Sequence, residues 1–241
     1  MRFFLILAVF VSSPVPVSAA QAAQVYSNSF NEPVGTCYPE WSSSIISYTS
    51  TGNPPGSGTL PAPAVTNTVS PNNAQRFLGE FGGPQIGVPG DPGYNHTRVD
   101  QTISLSLSNL PVHSALQVAF DLYILKSWDG NSPAYGLDRF ILSVAGGPVL
   151  LDTTFSNNRK TNTEGSYQDY PATNSLPWAG SFSTNTLGYN GFFYDGIYRL
   201  KFTFAHTGSN VTLNFRSSLF EGKGTTDESW GLDNVSVSTA P

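Results

Sequence analysis

Apolar and polar residues alternate along much of the chain, which is the pattern of β-strands with one buried face. The segment 115–125 is the clearest example, because every second side chain from position 116 onward is apolar. The segment 197–206 repeats this alternation, and the apolar positions of 211–215 follow it after Gly208-Ser209-Asn210. Two alternating segments joined by a short turn predict a β-hairpin.

Six further segments have the composition of short strands, and none has the apolar period of a convincing helix. Many short strands separated by Gly and Pro turns predict an all-β fold, a two-sheet antiparallel β-sandwich of the jelly-roll type. A concanavalin-like and a galactose-binding-like strand order fit equally well, and the first and last strands are expected to lie side by side. The six segments are 25–30, 75–81, 102–107, 139–144, 149–155 and 232–237. The expected core residues are Leu116, Val118, Phe120, Leu122, Ile124, Phe140, Leu200, Phe202, Phe204, Leu213 and Phe215.

Two stretches between the predicted strands lack this alternation. Residues 50–73 are rich in Pro, Gly, Ser and Thr, which predicts a long loop. Residues 156–195 form a second long loop, and their many aromatic side chains argue against disorder. These aromatics either face a ligand or form a small core beneath the loop. Residues 23–238 are expected to form a single domain that contains both loops.

The N-terminus has the pattern of a secretory signal peptide. Arg2 precedes the apolar run 3–11, which is too short to span a bilayer, and small or polar residues follow it. Cleavage is expected after Ala19, Ala20 or Ala22. Residues 1–22 are therefore predicted to direct export. The mature protein is expected to be secreted or held at the cell surface, without a transmembrane segment, because no later apolar stretch approaches about 18 residues.

The composition narrows the classes of partner. Charged residues make up 11% of the chain and the formal net charge is −5. Nucleic acid is not expected as a partner, because phosphate binding requires clustered Lys and Arg. A surface covered largely by neutral polar residues suits a neutral ligand. The single cysteine, Cys37, cannot form an internal disulfide and is expected to be a small buried residue.

Carboxylates and Trp residues occur together at two strand–loop junctions. Ser127-Trp128-Asp129-Gly130 follows the strand 115–125, and the motif 227–235 leads into the last strand. Calcium prefers carboxylate and amide oxygens, which these junctions supply. The candidate calcium ligands are Asp129, Asp138, Glu228, Asp233 and Asn234. The alternative is that these side chains cap turns while the two Trp residues pack at the edge of the core.

Sugar binding is a second hypothesis, because aromatic faces stack on sugar rings while Asp and Asn bind the hydroxyl groups. The loop 156–195 supplies most of the candidate rings. The candidate ligand-binding residues are Trp128, Tyr167, Tyr170, Trp178 and Tyr189. The alternative for these rings is the small core beneath the loop.

Catalysis is not expected from the residues present. The three histidines lie far apart in the sequence, and the chain contains neither an HExxH motif nor a GxSxG motif. A glycosidase needs two carboxylates that face one bond, and no strand face carries a close acidic cluster. Asp121 lies on the outer face of its strand and is expected to be an ordinary solvated residue. His113 is expected in a loop, and His206 in a turn.

Four segments together resemble a group of bacterial exported proteins. They are VYSNSF at 25–30, FDLYILKSWDG at 120–130, LLDTTFSN at 150–157 and ESWGLDNVSVS at 228–238. The chain is similar in these segments to proteins of the PEP-CTERM-associated type, whose folded part resembles a concanavalin-like or MAM-like jelly roll. The resemblance implies an extracellular jelly roll linked to surface polysaccharide or matrix. No PEP tripeptide, apolar span or basic end follows residue 238, so free secretion is expected rather than anchoring by a tail.

These observations leave three functional hypotheses. The first is a secreted, non-catalytic module that binds a glycan or matrix polysaccharide, with a structural calcium ion. The second is a structural or adhesive surface protein that binds other proteins. The third is a hydrolase that acts on polysaccharide.

Overall fold

The computed structural model describes residues 22–51, 56–86, 97–158, 167–189, 194–220 and 223–240. The predicted signal peptide therefore lies almost entirely outside the described residues. Within them the chain forms strands and one short 3₁₀-helix, Gly224–Thr226. The strands are β1 (Gln24–Asn28), β2 (Trp41–Ser43), β3 (Ile46–Ser50), β4 (Gly56–Leu60), β5 (Asn67–Val69), β6 (Arg76–Phe81), β7 (Thr97–Leu107), β8 (Ala115–Lys126), β9 (Arg139–Val144), β10 (Val149–Thr154), β11 (Ser183–Thr184), β12 (Tyr194–Ala205), β13 (Val211–Leu219) and β14 (Glu228–Ala240). No helix of the described part is long and apolar enough to cross a membrane.

The strands form two sheets. Sheet 1 has the order β11-β12-β8-β14-β6-β5, with β1 also paired to β14. Sheet 2 has the order β10-β9-β13-β7-β3-β4, with β2 also paired to β7. Every strand pairing among the described residues is antiparallel. The predicted two-sheet antiparallel sandwich is confirmed.

The last strand, β14, organises sheet 1. One of its edges pairs with β8 along most of its length, and the other pairs first with β6 and then with β1. The expected neighbourhood of the first and last strands is therefore confirmed, with Asn28 opposite Val235. A bulge between Asp233 and Ser236 interrupts the pairing with β8, and Asn234 has a φ of 49° there. Asn tolerates this left-handed conformation better than most residues, so the bulge has a local cause in the sequence.

The main core lies between the two sheets. Phe120 of sheet 1 meets Phe215 of sheet 2 edge-to-face at 5.2 Å between ring centroids, and Trp230 meets Phe140 at the same distance. All the predicted core residues are buried except Phe202, which is partly buried against this core. Each buried Leu or Phe contributes about 1.5–3 kcal/mol, so the core stabilises the fold without a disulfide.

The predicted hairpin of 197–206 and 211–215 is wrong. The first segment is β12, which pairs with β8 in sheet 1, whereas the second is β13, which pairs with β7 and β9 in sheet 2. Residues 206–210 therefore cross from one sheet to the other. The alternating pattern could not reveal this, because both strands point their apolar faces at the same core in either arrangement.

Two other predictions need correction. Residues 50–73 are not one long loop, because they contain β4 and β5. β4 has the sequence GSGTL and pairs through its backbone with β3, so apolar alternation could not reveal it. Cys37 is exposed, not buried, and its backbone forms an isolated bridge with Thr66. In the second predicted loop, the described residues 156–158 and 167–189 contain one strand, the two-residue β11.

Two histidines join the connections at one end of the sandwich. His113 Nε2 lies 2.8 Å from His206 Nδ1, and the two rings are inclined by 13° with centroids 5.1 Å apart. His113 Nδ1 lies 2.5 Å from the carbonyl oxygen of Pro111, and His206 Nε2 lies 3.1 Å from that of Asn210. This contact links the connection before β8 to the crossing segment after β12.

Candidate functional site

Three of the five predicted calcium ligands meet at the other end of the sandwich, and we call Asp129, Asp138 and Glu228 the acidic triad. One carboxylate oxygen of each residue lies within 4.8 Å of those of the other two, and all three side chains are buried. Asp129 follows β8, Asp138 immediately precedes β9, and Glu228 begins β14. The triad therefore joins both ends of the β8–β9 connection to the first residue of the central strand of sheet 1.

Hydrogen bonds from backbone and side-chain donors hold the two aspartates of the triad in place. Asp138 Oδ2 accepts from the Asp129 N–H at 2.5 Å, and its Oδ1 accepts from the Phe220 N–H at 3.3 Å. Asp129 Oδ1 accepts from Asn158 Nδ2 at 2.9 Å. Gly130 makes the turn possible, because its φ is 64° and a Cβ there would lie 2.3 Å from a backbone oxygen of the neighbouring loop.

The electrostatics of the triad favour a bound cation or a proton. Burial, and then the charge of Asp129, raise the pKa of the Asp138 carboxyl well above its usual range. Calcium binds oxygen ligands at about 2.3–2.6 Å, so two oxygens on opposite sides of the ion lie roughly 4.8 Å apart. The triad oxygens lie within 4.8 Å of one another, so an ion of this size could contact all three. Three carboxylates supply three to six oxygens, and calcium takes six to eight.

The other two predicted calcium ligands lie elsewhere, on the outer face of sheet 1. Trp230 and Leu232 of β14 point into the core, so Asp233 points outward. Asp233 Oδ2 accepts from the hydroxyl of Tyr123 at 2.9 Å, and Asn234 Nδ2 donates to Asp121 at 3.0 Å. The predicted five-residue set is therefore split between two places.

Asp121 lies opposite Asp233 across the β8–β14 pairing. It is buried, so its prediction as an ordinary solvated residue is wrong. Two carboxylates placed directly opposite each other repel. Hydrogen-bond donors from neighbouring side chains offset this repulsion. Arg199 Nε donates to Asp121 Oδ1 at 3.0 Å. Burial is the main cause that raises the pKa of Asp233 to about 6, and the charge of Asp121 adds to it.

Phe182 lies beside this outer-face cluster. Its ring is 60% exposed, and the guanidinium carbon of Arg199 lies 3.6 Å from the ring centroid. Sequence reasoning missed both residues. Phe182 lies within the aromatic-rich loop but was not among the candidate rings. Arg199 alternates with apolar residues in the segment 197–206, a pattern that places it on the outer face but indicates no contact with an aromatic ring.

Two of the predicted ligand-binding aromatics are buried. Trp128 lies in the main core and donates from its indole nitrogen to the carbonyl oxygen of Ser229 at 2.8 Å. Tyr189 belongs to a second, smaller core on the outer face of sheet 1, and its hydroxyl donates to Glu80. The members of this small core are Phe77, Tyr123, Leu125, Leu187, Tyr189 and Ile197. Neither ring is available to stack on a sugar, and Tyr189 follows the alternative of a small core beneath the loop.

Tyr167 and Tyr170 lie in the part of the loop that packs against the sandwich. Tyr170 is partly buried against Phe155, with ring centroids 5.2 Å apart. The carbonyl oxygen of Tyr167 accepts from the Asn131 N–H at 2.7 Å, next to the turn that carries Asp129. Both residues therefore connect the loop to the body of the protein.

Trp178 is partly exposed, and a short segment connects it to the acidic triad. Its indole nitrogen donates to Asn157 Oδ1 at 2.7 Å, and its backbone N–H donates to the Ser156 carbonyl at 3.1 Å. Ser156 forms a backbone bridge with Asp129. The segment 156–158 therefore contacts the triad on one side and Trp178 on the other.

No model of a known protein family matches the sequence, and no curated protein matches it. Among solved structures, the chain is similar to TmCBM27, a carbohydrate-binding module described for specific mannan recognition. The two are 11% identical over 92% of this chain and 100% of that chain, with a TM-score of 0.44. A likeness of this size identifies neither a family nor a ligand.

Proposed function

We propose that this chain is an exported, non-catalytic carbohydrate-binding module whose aromatic loop is held in place by a calcium ion at the acidic triad. The observation that carries the proposal is the segment 156–158. Asn158 donates to Asp129 of the triad, and Asn157 accepts from Trp178 of the loop. An ion that fixes the triad would therefore also fix the position of the Trp178 ring.

The ligand class follows from the surface and the ring. A partly exposed indole offers an apolar face to the C–H groups of a sugar, and an uncharged polar surface matches the hydroxyl groups. The low content of charged residues, 11%, makes a neutral polysaccharide a better partner than a charged polymer. Calcium supplies charge compensation for the buried carboxylates in this proposal and takes no part in any reaction.

Affinity electrophoresis in gels that contain a neutral glucan, galactan or xylan tests the proposal, with alginate as the anionic comparison. The wild-type mature protein is expected to be retarded by a neutral polymer, more strongly with calcium than with EDTA. Trp178→Ala is expected to lose about tenfold in affinity, because an aromatic contact is worth about 1 kcal/mol or more. Leu176→Ala is the matched control, since Leu176 lies on the same loop and is 55% exposed.

Two results would count against the proposal. Retardation by none of the polymers, together with self-association in solution, would favour an adhesive protein. Release of reducing sugar from any of them would favour a hydrolase.

A further inference from the structure

The outer face of sheet 1 carries an exposed surface formed by residues other than the triad and Trp178. Arg199 lies over the ring of Phe182, and its side chain is 58% exposed. Asn234 is exposed on β14, two strands away. These three residues lie across neighbouring strands, which are about 4.8 Å apart, so the surface spans roughly 10–15 Å.

The Arg199 guanidinium is fixed before any ligand arrives. Its Nε donates to Asp121 Oδ1 at 3.0 Å, its Nη2 lies 3.5 Å from Asp121 Oδ2, and its plane rests on Phe182. Asn234 in turn donates to the same carboxylate. A side chain held in this way loses little conformational entropy when it binds a ligand.

The surface retains both donors and acceptors. Within the described part of the chain, Arg199 Nη1 and Asn234 Oδ1 have no hydrogen-bond partner. Nη1 can only donate and Oδ1 can only accept. A sugar hydroxyl does both, so the hydroxyl groups of a saccharide can pair with either atom.

The local charge argues against an anionic ligand. One guanidinium faces two carboxylates, Asp121 and Asp233, in this cluster. The pKa of Asp233 is about 6, so this carboxyl group is mainly ionised at pH 7.5 and adds negative charge to the cluster. A uronate, sulfate or phosphate group would be repelled here, whereas a neutral polyhydroxyl ligand would not.

We propose that Phe182, Arg199 and Asn234 form a second glycan-binding surface for a neutral oligosaccharide. The flat Arg199–Phe182 stack contacts the apolar side of a sugar ring, and the exposed donor and acceptor bind its hydroxyl groups. This inference rests on the proposed function, and it adds a site formed by residues other than the triad and Trp178.

The test compares Phe182→Ala and Arg199→Lys with Trp178→Ala in the same affinity gels. Arg199→Lys keeps the charge next to Asp121 but loses the planar stack and the fork of donors. Each of the two variants is expected to bind the neutral polymer about tenfold more weakly than wild type. Val149→Ala is the control, because Val149 is 61% exposed on sheet 2, against 60% for Phe182.

A direct readout complements the variants. The Nε–H signal of Arg199 in an NMR spectrum of the mature protein is expected to shift when the neutral oligosaccharide from the best polymer is added. Wild-type affinity in both variants with no shift of this signal would overturn the second surface. If Trp178→Ala still weakened binding, the proposed function would stand. Tighter binding to alginate than to neutral polymers would overturn the choice of ligand, and binding to no polymer would reject the proposed function and this inference together.

Discussion

Calcium is expected to stabilise the mature protein through Asp129, Asp138 and Glu228 and not through Asp233. Two variants, Asp129→Asn and Asp233→Asn, distinguish the triad from the outer-face cluster as the calcium site. Both changes remove one buried carboxylate charge and keep a side chain of the same shape. Asp129 lies in the triad, and Asp233 lies on the outer face of sheet 1.

The size of the calcium effect follows from the donor set. Three carboxylates are compatible with a dissociation constant of about 10⁻⁵ M, at the weak end of sensor sites. About 1 mM calcium is then roughly 100 times that constant and stabilises the fold by about 2.7 kcal/mol. A domain of this size gains about 2–4 °C in Tm per kcal/mol, so wild type should gain about 5–10 °C.

The same substitution has the opposite effect when calcium is removed. The triad oxygens lie within 4.8 Å, where two unit charges repel by about 3 kcal/mol at an effective dielectric constant of roughly 20. Asp129→Asn removes this repulsion, lowers the pKa of Asp138 towards its ordinary value and keeps an oxygen that can accept from Asn158. We therefore expect the variant to be more stable than wild type in EDTA, by at most about 3 kcal/mol, and to lose most of the calcium increment of about 2.7 kcal/mol.

Differential scanning calorimetry at pH 7.5, in EDTA and then in calcium, measures both effects. Asp233→Asn should keep the full calcium increment. An equal increment in Asp129→Asn and wild type would refute the triad as the ion site. An increment that is lost only in Asp233→Asn would move the site to the outer face. Absence of an increment in wild type would leave the triad as a buried acid cluster held by shared protons.

Three further predictions concern stability. Phe120→Asp should abolish soluble expression, because it puts a charge in the main core, whereas Val112→Asp should leave yield and Tm unchanged, since Val112 is 98% exposed. In EDTA, the free energy of unfolding measured in urea should fall as pH rises from about 4 to above 6, because the pKa of Asp233, about 6 in the folded protein, lies above its unfolded value. Asp233→Asn should remove up to about 3 kcal/mol of that fall. If the variant and wild type showed the same dependence of unfolding free energy on pH, the raised pKa of Asp233 would be contradicted. Gly130→Ala should destabilise the protein by several kcal/mol, because the new Cβ would clash with a backbone oxygen. Gly146→Ala is the control: Gly146 also has a positive φ, 70°, but no atom lies within 4 Å of its added Cβ, so this change should cost only about 1–2 kcal/mol. Equal losses of stability in the two variants would contradict the clash.

The sheets were predictable wherever one face of a strand is buried. Phe120 and Phe215 alternate with polar neighbours, so both the strands and their inward faces follow from the sequence. The partner of each strand does not, because β12 and β13 present the same pattern whether they pair with each other or face each other across the core. β4 could not be found at all, since its Gly, Ser and Thr residues pair through the backbone alone.

The candidate site was predictable only in part. Asp129 and Asp138 flank one connection, so their approach to each other follows from sequence distance. Whether Glu228 or Asp233 joins the two aspartates depends on which face of β14 is buried. Alternation from Trp230 would have assigned Glu228 to the inner face and Asp233 to the outer face. Phe182 has no periodic neighbours and lies in a loop, so only the structure reveals that Arg199 covers its ring.

The two histidines at the far end of the sandwich form a chain of three contacts between carbonyl oxygens. A carbonyl oxygen accepts only, so His113 Nδ1 must donate to Pro111 and His206 Nε2 must donate to Asn210. The 2.8 Å contact between the two rings lies between these two anchored ends. The His206 backbone N–H also donates to the Ser114 carbonyl oxygen at 3.1 Å. The segment that crosses from sheet 1 to sheet 2 is therefore tethered to the connection before β8, so the two sheets cannot separate at this end without breaking these contacts.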